Sequence, residues 1–258
     1  QCNEDNKEGA EDRTELVQMP NLIRLKIEQS IIGMLKAYDY DAAWHLAQSM
    51  EGRKPDFLPY LELAASRSQL DLSRVSALEL ELGETFCPVQ ASDAKLLFEY
   101  ALVTDLKRRR GQFADFIRSL SPLIVDLFEL VLNEKLFQEY GCKISDFFDE
   151  FGKWKESIFS APQTELEERV ASILYEAYAG KFYPNDIVKS DHLCKLIYKL
   201  CDRGIAQDIY ELREVESKVR NVVAHEVVNV SDKFIHNKTG GLNSGKIMKL
   251  IRKVLGAT

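Results

Sequence analysis

The stretch Glu216–Glu226 has the sequence ESKVRNVVAHE and holds an arginine, an asparagine and a histidine within six residues. A helix that begins near Ile205 and advances about 100° per residue carries one apolar stripe through this stretch. The stripe comprises Ile205, Ile209, Leu212, Val219 and Val223. Asn221 and His225 lie on the opposite face and are neighbours there, because they are four residues apart, and Arg220 lies on the flank. The sequence therefore predicts a helix that buries one side and presents this polar face to water or to a partner.

Two hypotheses fit the polar face. On residue types alone, the commoner one is a solvated helix surface with an ordinary exposed histidine. The other is a site in which Arg220, Asn221 and His225 act together on a substrate. An arginine followed by a histidine at this spacing is a weak signal by itself, since about one chance match is expected in a chain of this length.

Basic residues gather after His225, in a segment from Lys233 to Thr258 that has no acidic residue. The six cations are Lys233, Lys238, Lys246, Lys249, Arg252 and Lys253. The formal net charge of the whole chain is −7, which argues against a general nucleic-acid binder, because affinity for phosphates grows with the number of neutralised charges. Locally, Lys233, Lys238 and Lys246 are candidates for a basic, RNA-binding rim beside His225. The alternative is a solvated helix face and a polar loop.

The composition predicts a globular protein with a substantial core. The chain has 258 residues, of which 45% are hydrophobic and 29% are charged, enough for one large or two modest domains. No apolar run approaches the ~20 residues that span a bilayer and no signal-peptide pattern opens the chain, so we expect a soluble cytoplasmic protein without a membrane partner. The first residue is glutamine, which suggests processing or a fragment.

The cysteines and histidines do not form a recognisable metal site. The five cysteines contain no CxxC pair and no close, even framework, which is typical of reduced thiols. The four histidines show no HExxH or Cys/His spacing. We therefore expect neither a metal nor another cofactor.

Apolar residues recur with helical periodicity along the chain, which predicts an all-α fold. Residues 1–13 form an acidic tail or linker, and residues 14–110 a set of short helical hairpins. The segment ALELEL at Ala77–Leu82 alternates like a strand, but its strong helix formers favour a helix that ends at Gly83.

Residues 111–258 are predicted to form a second helical domain. Pro122 lies inside its long first apolar stripe and is expected to kink that helix. TELE at Thr164–Glu167 matches a capping box, and Ser190 is expected to cap the following helix. The segment from Val227 to Lys246 contains three glycines and is predicted to be a mobile loop.

The sequence RNVVAH at Arg220–His225 resembles the signature of HEPN-superfamily ribonucleases, which is an arginine, often followed by asparagine, and a histidine a few residues later. It lies near the end of a long helix in the C-terminal half of a helical chain, as in that family. The resemblance implies that Arg220 and His225 are catalytic and that Asn221 has a positioning role.

The order of the two helical parts resembles the CRISPR type III accessory ribonucleases of the Csm group. These proteins join a nucleotide-sensing CARF domain, a helical spacer and a HEPN nuclease. The resemblance implies that residues 14–110 are the helical-hairpin spacer and residues 111–258 the HEPN-type bundle. The chain lacks the alternation of strands and helices that would predict a CARF domain. A fragment would explain this, and activation by cyclic oligoadenylate would then require the CARF domain that is missing here.

The function implied by the resemblance is cleavage of single-stranded RNA in antiviral defence, without a metal ion. The 2′-OH of RNA serves as the nucleophile, a neutral imidazole assists proton transfer and a guanidinium stabilises charge on the phosphate. A two-fold homodimer would appose two motif helices, with Asn221 and His225 facing the axis.

Two other classes of protein stay open at this point. One is a HEPN-type dimerisation or RNA-binding module that does not cut RNA. The other is a purely helical interaction domain, in which His225 is an ordinary surface residue. A ribonuclease assay with and without the His225 side chain separates them from an enzyme.

Overall fold

A computed structural model describes residues 20–52, 54–89, 92–225 and 228–256 of the chain. Within these ranges the side chains of residues 20, 21, 92, 93 and 221–225 are not described. The predicted acidic tail at residues 1–13 lies outside the described residues. In the described part, α-helices and two short 3-10 helices are joined by loops, and the β-pairing consists of isolated bridges. This confirms the all-α prediction.

The chain forms two compact units, residues 1–65 and 66–258. The first contains α1 (Pro20–Lys36), α2 (Tyr40–Gln48) and most of α3 (Leu58–Ser68). α1 packs against α2, and the Asp39 side chain caps α2 by accepting a hydrogen bond from the Ala42 amide at 3.4 Å. The small core of this unit is formed by Ile31, Ala43, Ala47, Met50 and Leu61.

The second unit holds the remaining helices. They are α4 (Leu72–Leu82), α5 (Ser92–Arg109), α6 (Phe113–Lys135), α7 (Glu156–Ser160), α8 (Glu165–Ala177), α9 (Ser190–Leu200), α10 (Arg203–His225), α11 (Asp232–Thr239) and α12 (Ser244–Leu255). The predicted domain boundary at residues 110 and 111 falls between α5 and α6, which pack against each other in this unit.

Local signals in the sequence define several of these helices. α4 covers the alternating ALELEL segment, as predicted, and ends at Gly83, whose φ of 67° is the left-handed conformation favoured by glycine. α8 begins with the predicted capping box, in which the Thr164 hydroxyl accepts from the Glu167 amide at 3.1 Å.

α6 is the central helix of the second unit. It packs against α5, α9 and α10, and ten of its residues are buried. Pro122 lies inside α6, which continues to Lys135. Trp154 is 1% exposed and contacts the rings of Phe148, Phe159 and Phe182, so it belongs to the core of the second unit.

The predicted loop from Val227 to Lys246 is wrong over its middle part, because residues Asp232–Thr239 form α11. The Ser231 hydroxyl caps this helix by accepting from the Phe234 amide at 3.1 Å, and Gly240 ends it with a φ of 77°. Ile235 is fully buried and fixes the helix on the core. Two of the three glycines that suggested a loop follow this helix, and the third lies in the first turn of α12.

Two carboxylates tie basic residues of α5 and α12 into the second unit. Asp105 accepts hydrogen bonds from Arg108, Arg109 and Arg252 at 2.6–2.8 Å, and these guanidinium groups keep the pKa of its carboxyl below the usual range although burial opposes them. Lys253 donates to Asp208 at 2.8 Å.

None of the helices in the described ranges is both long and apolar enough to cross a bilayer.

Candidate functional site

α10 buries one side and carries the RNVVAH motif at its C-terminal end. Its apolar stripe packs against α6, α9 and α12. Its predicted members Ile205, Ile209, Leu212 and Val219 are buried, and so is Val215, which was not predicted as part of the stripe. This confirms the predicted orientation of the helix, except at Val223, whose side chain lies outside the described residues.

Arg220 points away from the stripe and is 60% exposed. Its guanidinium Nη1 lies 3.6 Å from Oε1 of Glu216, one helical turn earlier. A glutamate four residues before an arginine is the favourable orientation of such a helical pair. The guanidinium is thus held at one end and open to solvent at the other.

Glu216 is a buried carboxylate, with its side chain 3% exposed. Its Oε2 accepts a short hydrogen bond from the Ser190 hydroxyl at the start of α9, and the same oxygen lies 3.7 Å from Nη1 of Arg213. A buried charge requires partners, and here two guanidinium groups and a hydroxyl supply them.

The polar contacts continue from Arg213 to α8. Nε of Arg213 lies 3.6 Å from Oδ1 of Asp191, and Oδ2 of Asp191 accepts a short hydrogen bond from the Tyr178 hydroxyl. Burial and the neighbouring Asp191 carboxylate raise the pKa of Tyr178, so its phenol stays protonated and donates this bond. The network of Tyr178, Asp191, Arg213, Ser190 and Glu216, called here the Glu216 network, links α8, α9 and α10 beneath Arg220.

A cleft of about 600 Å³ opens beside this network, between α6, α10 and the chain that enters α9. Its lining residues are Ser121, Pro122, Val125, Asp126, Ile187, Val188, Lys189, Ser190, Arg213, Glu216, Ser217 and Arg220. Partial desolvation raises the pKa of the Asp126 carboxyl on the α6 side. Lys189 and Arg220 are exposed cations among the lining residues, and their charge suits an anionic group.

Asn221 and His225 belong to α10, as predicted, but their side chains lie outside the described residues. The helical rise of 1.5 Å per residue places His225 about 7.5 Å beyond Arg220 along the axis. At about 100° per residue, the two positions are also turned by about 140° around the helix, so His225 lies on a different side of α10 from Arg220.

The three candidate RNA-binding lysines lie on or beside the last two helices. Lys233 and Lys238 are exposed on α11, where the Lys238 ammonium is 5.8 Å from the centre of the Phe234 ring. Lys246, in the first turn of α12, donates to the Gly241 carbonyl at 3.3 Å. None of the three lines the cleft beside Arg220 as the described residues form it.

Glu216, Ser190 and Arg213 were not predicted to take part in the site. The spacing of Glu216 and Arg220 was a usable signal, because it is the pattern of a helical ion pair. Ser190 was expected to cap α9, but Lys189 holds the cap position and the Ser190 hydroxyl donates to Glu216 instead. In the described residues no group of three His, Cys, Asp or Glu side chains is arranged to hold a metal ion.

Comparison with known proteins gives two matching family models and related individual proteins. The model of the Cas_Csm6 HEPN domain matches residues 86–258, and the model of the CRISPR-associated protein Csm6 6H domain matches residues 17–68. The CRISPR system endoribonuclease Csm6 of Mycobacterium tuberculosis is 26% identical over 257 residues, which are 99% of this chain and 57% of the relative. The chain thus spans little more than half of that protein.

A solved structure shows the same fold. It is Enterococcus italicus Csm6 bound to cyclic hexa-2′-fluoro-hexa-dAMP, with a TM-score of 0.64 and 15% sequence identity. The match covers 92% of this chain and 52% of the other. Because the HEPN model covers most of the chain, including α10 and its RNVVAH motif, this protein belongs to the Csm6 HEPN family of CRISPR-associated proteins.

Proposed function

We propose that this chain is a metal-independent endoribonuclease that cleaves single-stranded RNA. The observation that carries the proposal is Arg220, an exposed guanidinium anchored by a buried carboxylate, on the same helix as His225 and in a chain of the Csm6 HEPN family. The relative from Mycobacterium tuberculosis is itself named an endoribonuclease, which supports the same activity here.

The chemistry uses the nucleophile that RNA itself carries. His225 accepts the proton of a ribose 2′-OH, whose oxygen forms a bond to the adjacent phosphorus. The bond from phosphorus to the 5′-oxygen of the next nucleotide breaks, and that oxygen takes up a proton. Arg220 stabilises the negative charge that develops on the phosphate oxygens, and Asn221 orients the phosphate. The products are a 2′,3′-cyclic phosphate and a 5′-hydroxyl end.

The proposed active form is a homodimer. One α10 supplies a single RNVVAH motif, whereas a two-fold axis beside it would place two copies in one cleft. Arginine side chains from both copies would disfavour the protonated form of His225 and so keep it a base near neutral pH. Lys233, Lys238 and Lys246 would form the rim that guides RNA into this cleft.

The proposed biological setting is CRISPR type III antiviral defence. The Enterococcus italicus relative is described as bound to a cyclic hexanucleotide, which supports regulation of this protein by cyclic oligoadenylate. We assign the sensing of that activator to a CARF domain outside these 258 residues.

The decisive experiment measures cleavage of a fluorescent single-stranded RNA by the purified chain. His225→Ala and Arg220→Ala are each expected to abolish cleavage, and Asn221→Ala to reduce it less. The matched control is His236→Ala, since His236 is an exposed histidine on α11. A substrate with a 2′-deoxyribose at the scissile position should stay intact, and EDTA should not change the rate.

Undiminished cleavage by His225→Ala would contradict the proposed site. A His225→Ala protein that fails to fold, judged by its circular-dichroism melt, would instead identify a structural histidine. Cleavage of the 2′-deoxy substrate would contradict the proposed mechanism, and so would loss of activity in EDTA.

A further inference from the structure

The Glu216 network reaches from α8 to the exposed guanidinium of Arg220. Glu216 is the member that contacts Arg220, and it does so from a buried position at the edge of the cleft. Its two carboxylate oxygens are divided between different partners. Oε1 faces Arg220, whereas Oε2 accepts from Ser190 and faces Arg213.

The division of partners limits the movement of Glu216. Ser190 lies at the start of α9 and Arg213 lies one turn earlier on α10, so the carboxylate is fixed by two elements of the core. Arg213 is itself oriented by Asp191, which accepts from Tyr178. Arg220 has a long, flexible side chain, and its restraint among the described residues is Oε1 of Glu216.

A contribution to the free energy of unfolding does not by itself explain the contact between Glu216 and Arg220. A buried ion pair gains little over apolar residues of the same volume, because desolvation of the charges offsets their attraction. The partner that Glu216 holds is mostly exposed, so that contact adds little to stability. What the contact supplies is a defined position for one guanidinium at the edge of the cleft.

We propose that Glu216 is a positioning residue for catalysis, which holds the Arg220 guanidinium in place for the scissile phosphate through a carboxylate anchored by Ser190 and Arg213. The proposal rests on the ribonuclease function proposed above. Glu216 itself does not touch RNA. Glu216 restricts the rotamers of the Arg220 side chain before the reaction begins. The guanidinium is therefore already in place when negative charge develops on the phosphate, and such preorganisation lowers the activation barrier.

The first test is the kinetics of Glu216→Gln, a substitution that keeps size and a hydrogen-bond acceptor but removes the charge. We expect kcat to fall about 10- to 100-fold with KM within about threefold of the original, because misplacement of a catalytic group acts on the transition state. The matched control is Glu214→Gln. Glu214 forms a 3.0 Å ion pair with Lys218 on the same helix and does not line the cleft.

The second test follows the Arg220 side chain directly and needs no RNA cleavage. In ¹⁵N nuclear magnetic resonance spectra, the Nε–Hε signal of Arg220 is assigned by its loss in Arg220→Ala. We expect this signal to report a restricted Arg220 side chain in the original protein and in Glu214→Gln, and a mobile one in Glu216→Gln. Ser190→Ala, which removes the donor to Oε2, should produce the same change to a smaller degree and serves where Glu216→Gln does not fold.

The results separate this proposal from the proposed function. If the original chain cleaves no RNA, the ribonuclease proposal fails, and the spectrum still decides whether Glu216 orders Arg220. If the chain cleaves RNA and Glu216→Gln keeps its kcat, the positioning role is overturned. It is equally overturned if the Arg220 signal is as ordered in Glu216→Gln as in the original, or if Glu214→Gln has the same kinetic effect.

Discussion

Glu129 is a carboxylic acid that the fold keeps from much of its hydration. It lies on the cleft between α5 and α6, and burial raises its pKa to about 7, with a further contribution from the negative charge of Asp126. An acid whose pKa rises on folding binds its proton more tightly in the folded state. The protein therefore loses stability as pH rises from about 4.5, the value in the unfolded chain, to about 7.

We predict that Glu129→Gln stabilises the protein above pH 7 and has little effect near pH 5, because glutamine resembles the protonated acid. A shift of this size corresponds to roughly 3 kcal/mol at most, and partial exposure reduces it to about 1–2 kcal/mol. Urea unfolding at a series of pH values measures the difference. Glu134→Gln, an exposed position on the same helix, is the control, and an equal gain in that variant would contradict the prediction.

Single residues differ in how far the sequence predicts their roles. The role of His192 was not predictable from its position in the sequence: it is buried, and its Nδ1 accepts from Trp154 Nε1 at 3.0 Å. Burial lowers its pKa to about 4, which keeps it neutral. Glu216 was not singled out, because its burial depends on Ser190 and Arg213 and so on how α9 packs against α10.

Helices with strong local signals were predictable from the sequence. α10 has one apolar stripe, α8 has a capping box, and α4 consists of helix formers followed by glycine. In each case the signal lies within the helix and its flanking residues, so it does not depend on the rest of the fold.

α11 was not predicted, because its stability comes from the core more than from its own sequence. It has eight residues, fewer than an isolated helix needs, and its fully buried residue is Ile235. Asp232, at its first position, also accepts from the Ser244 amide at 2.8 Å and so ties α11 to the start of α12. Such a contact between helices cannot be read from periodicity.

At the scale of the whole molecule, the proposed homodimer has a direct test. We predict a dimer at micromolar concentration, which sedimentation velocity would measure. Mixing Arg220→Ala with His225→Ala subunits should give an activity different from that of either variant alone, if one phosphate is processed by groups from both chains. A monomer with full activity would contradict the composite cleft.

The ion pairs of Asp105 and Asp208 are expected to limit how strongly the RNA affinity of this protein depends on salt concentration. They neutralise Arg252 and Lys253, so Lys233, Lys238, Lys246 and Lys249 are the basic residues of the C-terminal segment without an ion-pair partner among the described residues. Each phosphate that such a cation neutralises releases counterions from single-stranded RNA, with a slope of about −0.7 in log K against log salt.

With Arg220 added to these four lysines, we predict a slope no steeper than about −3.5 per protomer for a non-cleavable RNA. Fluorescence anisotropy across a salt series measures it, and Arg252→Ala should leave it unchanged. A much steeper slope would mean that RNA contacts cations elsewhere on the chain. The affinity for RNA would thus fall less with added salt than that of strongly basic nucleic-acid binders.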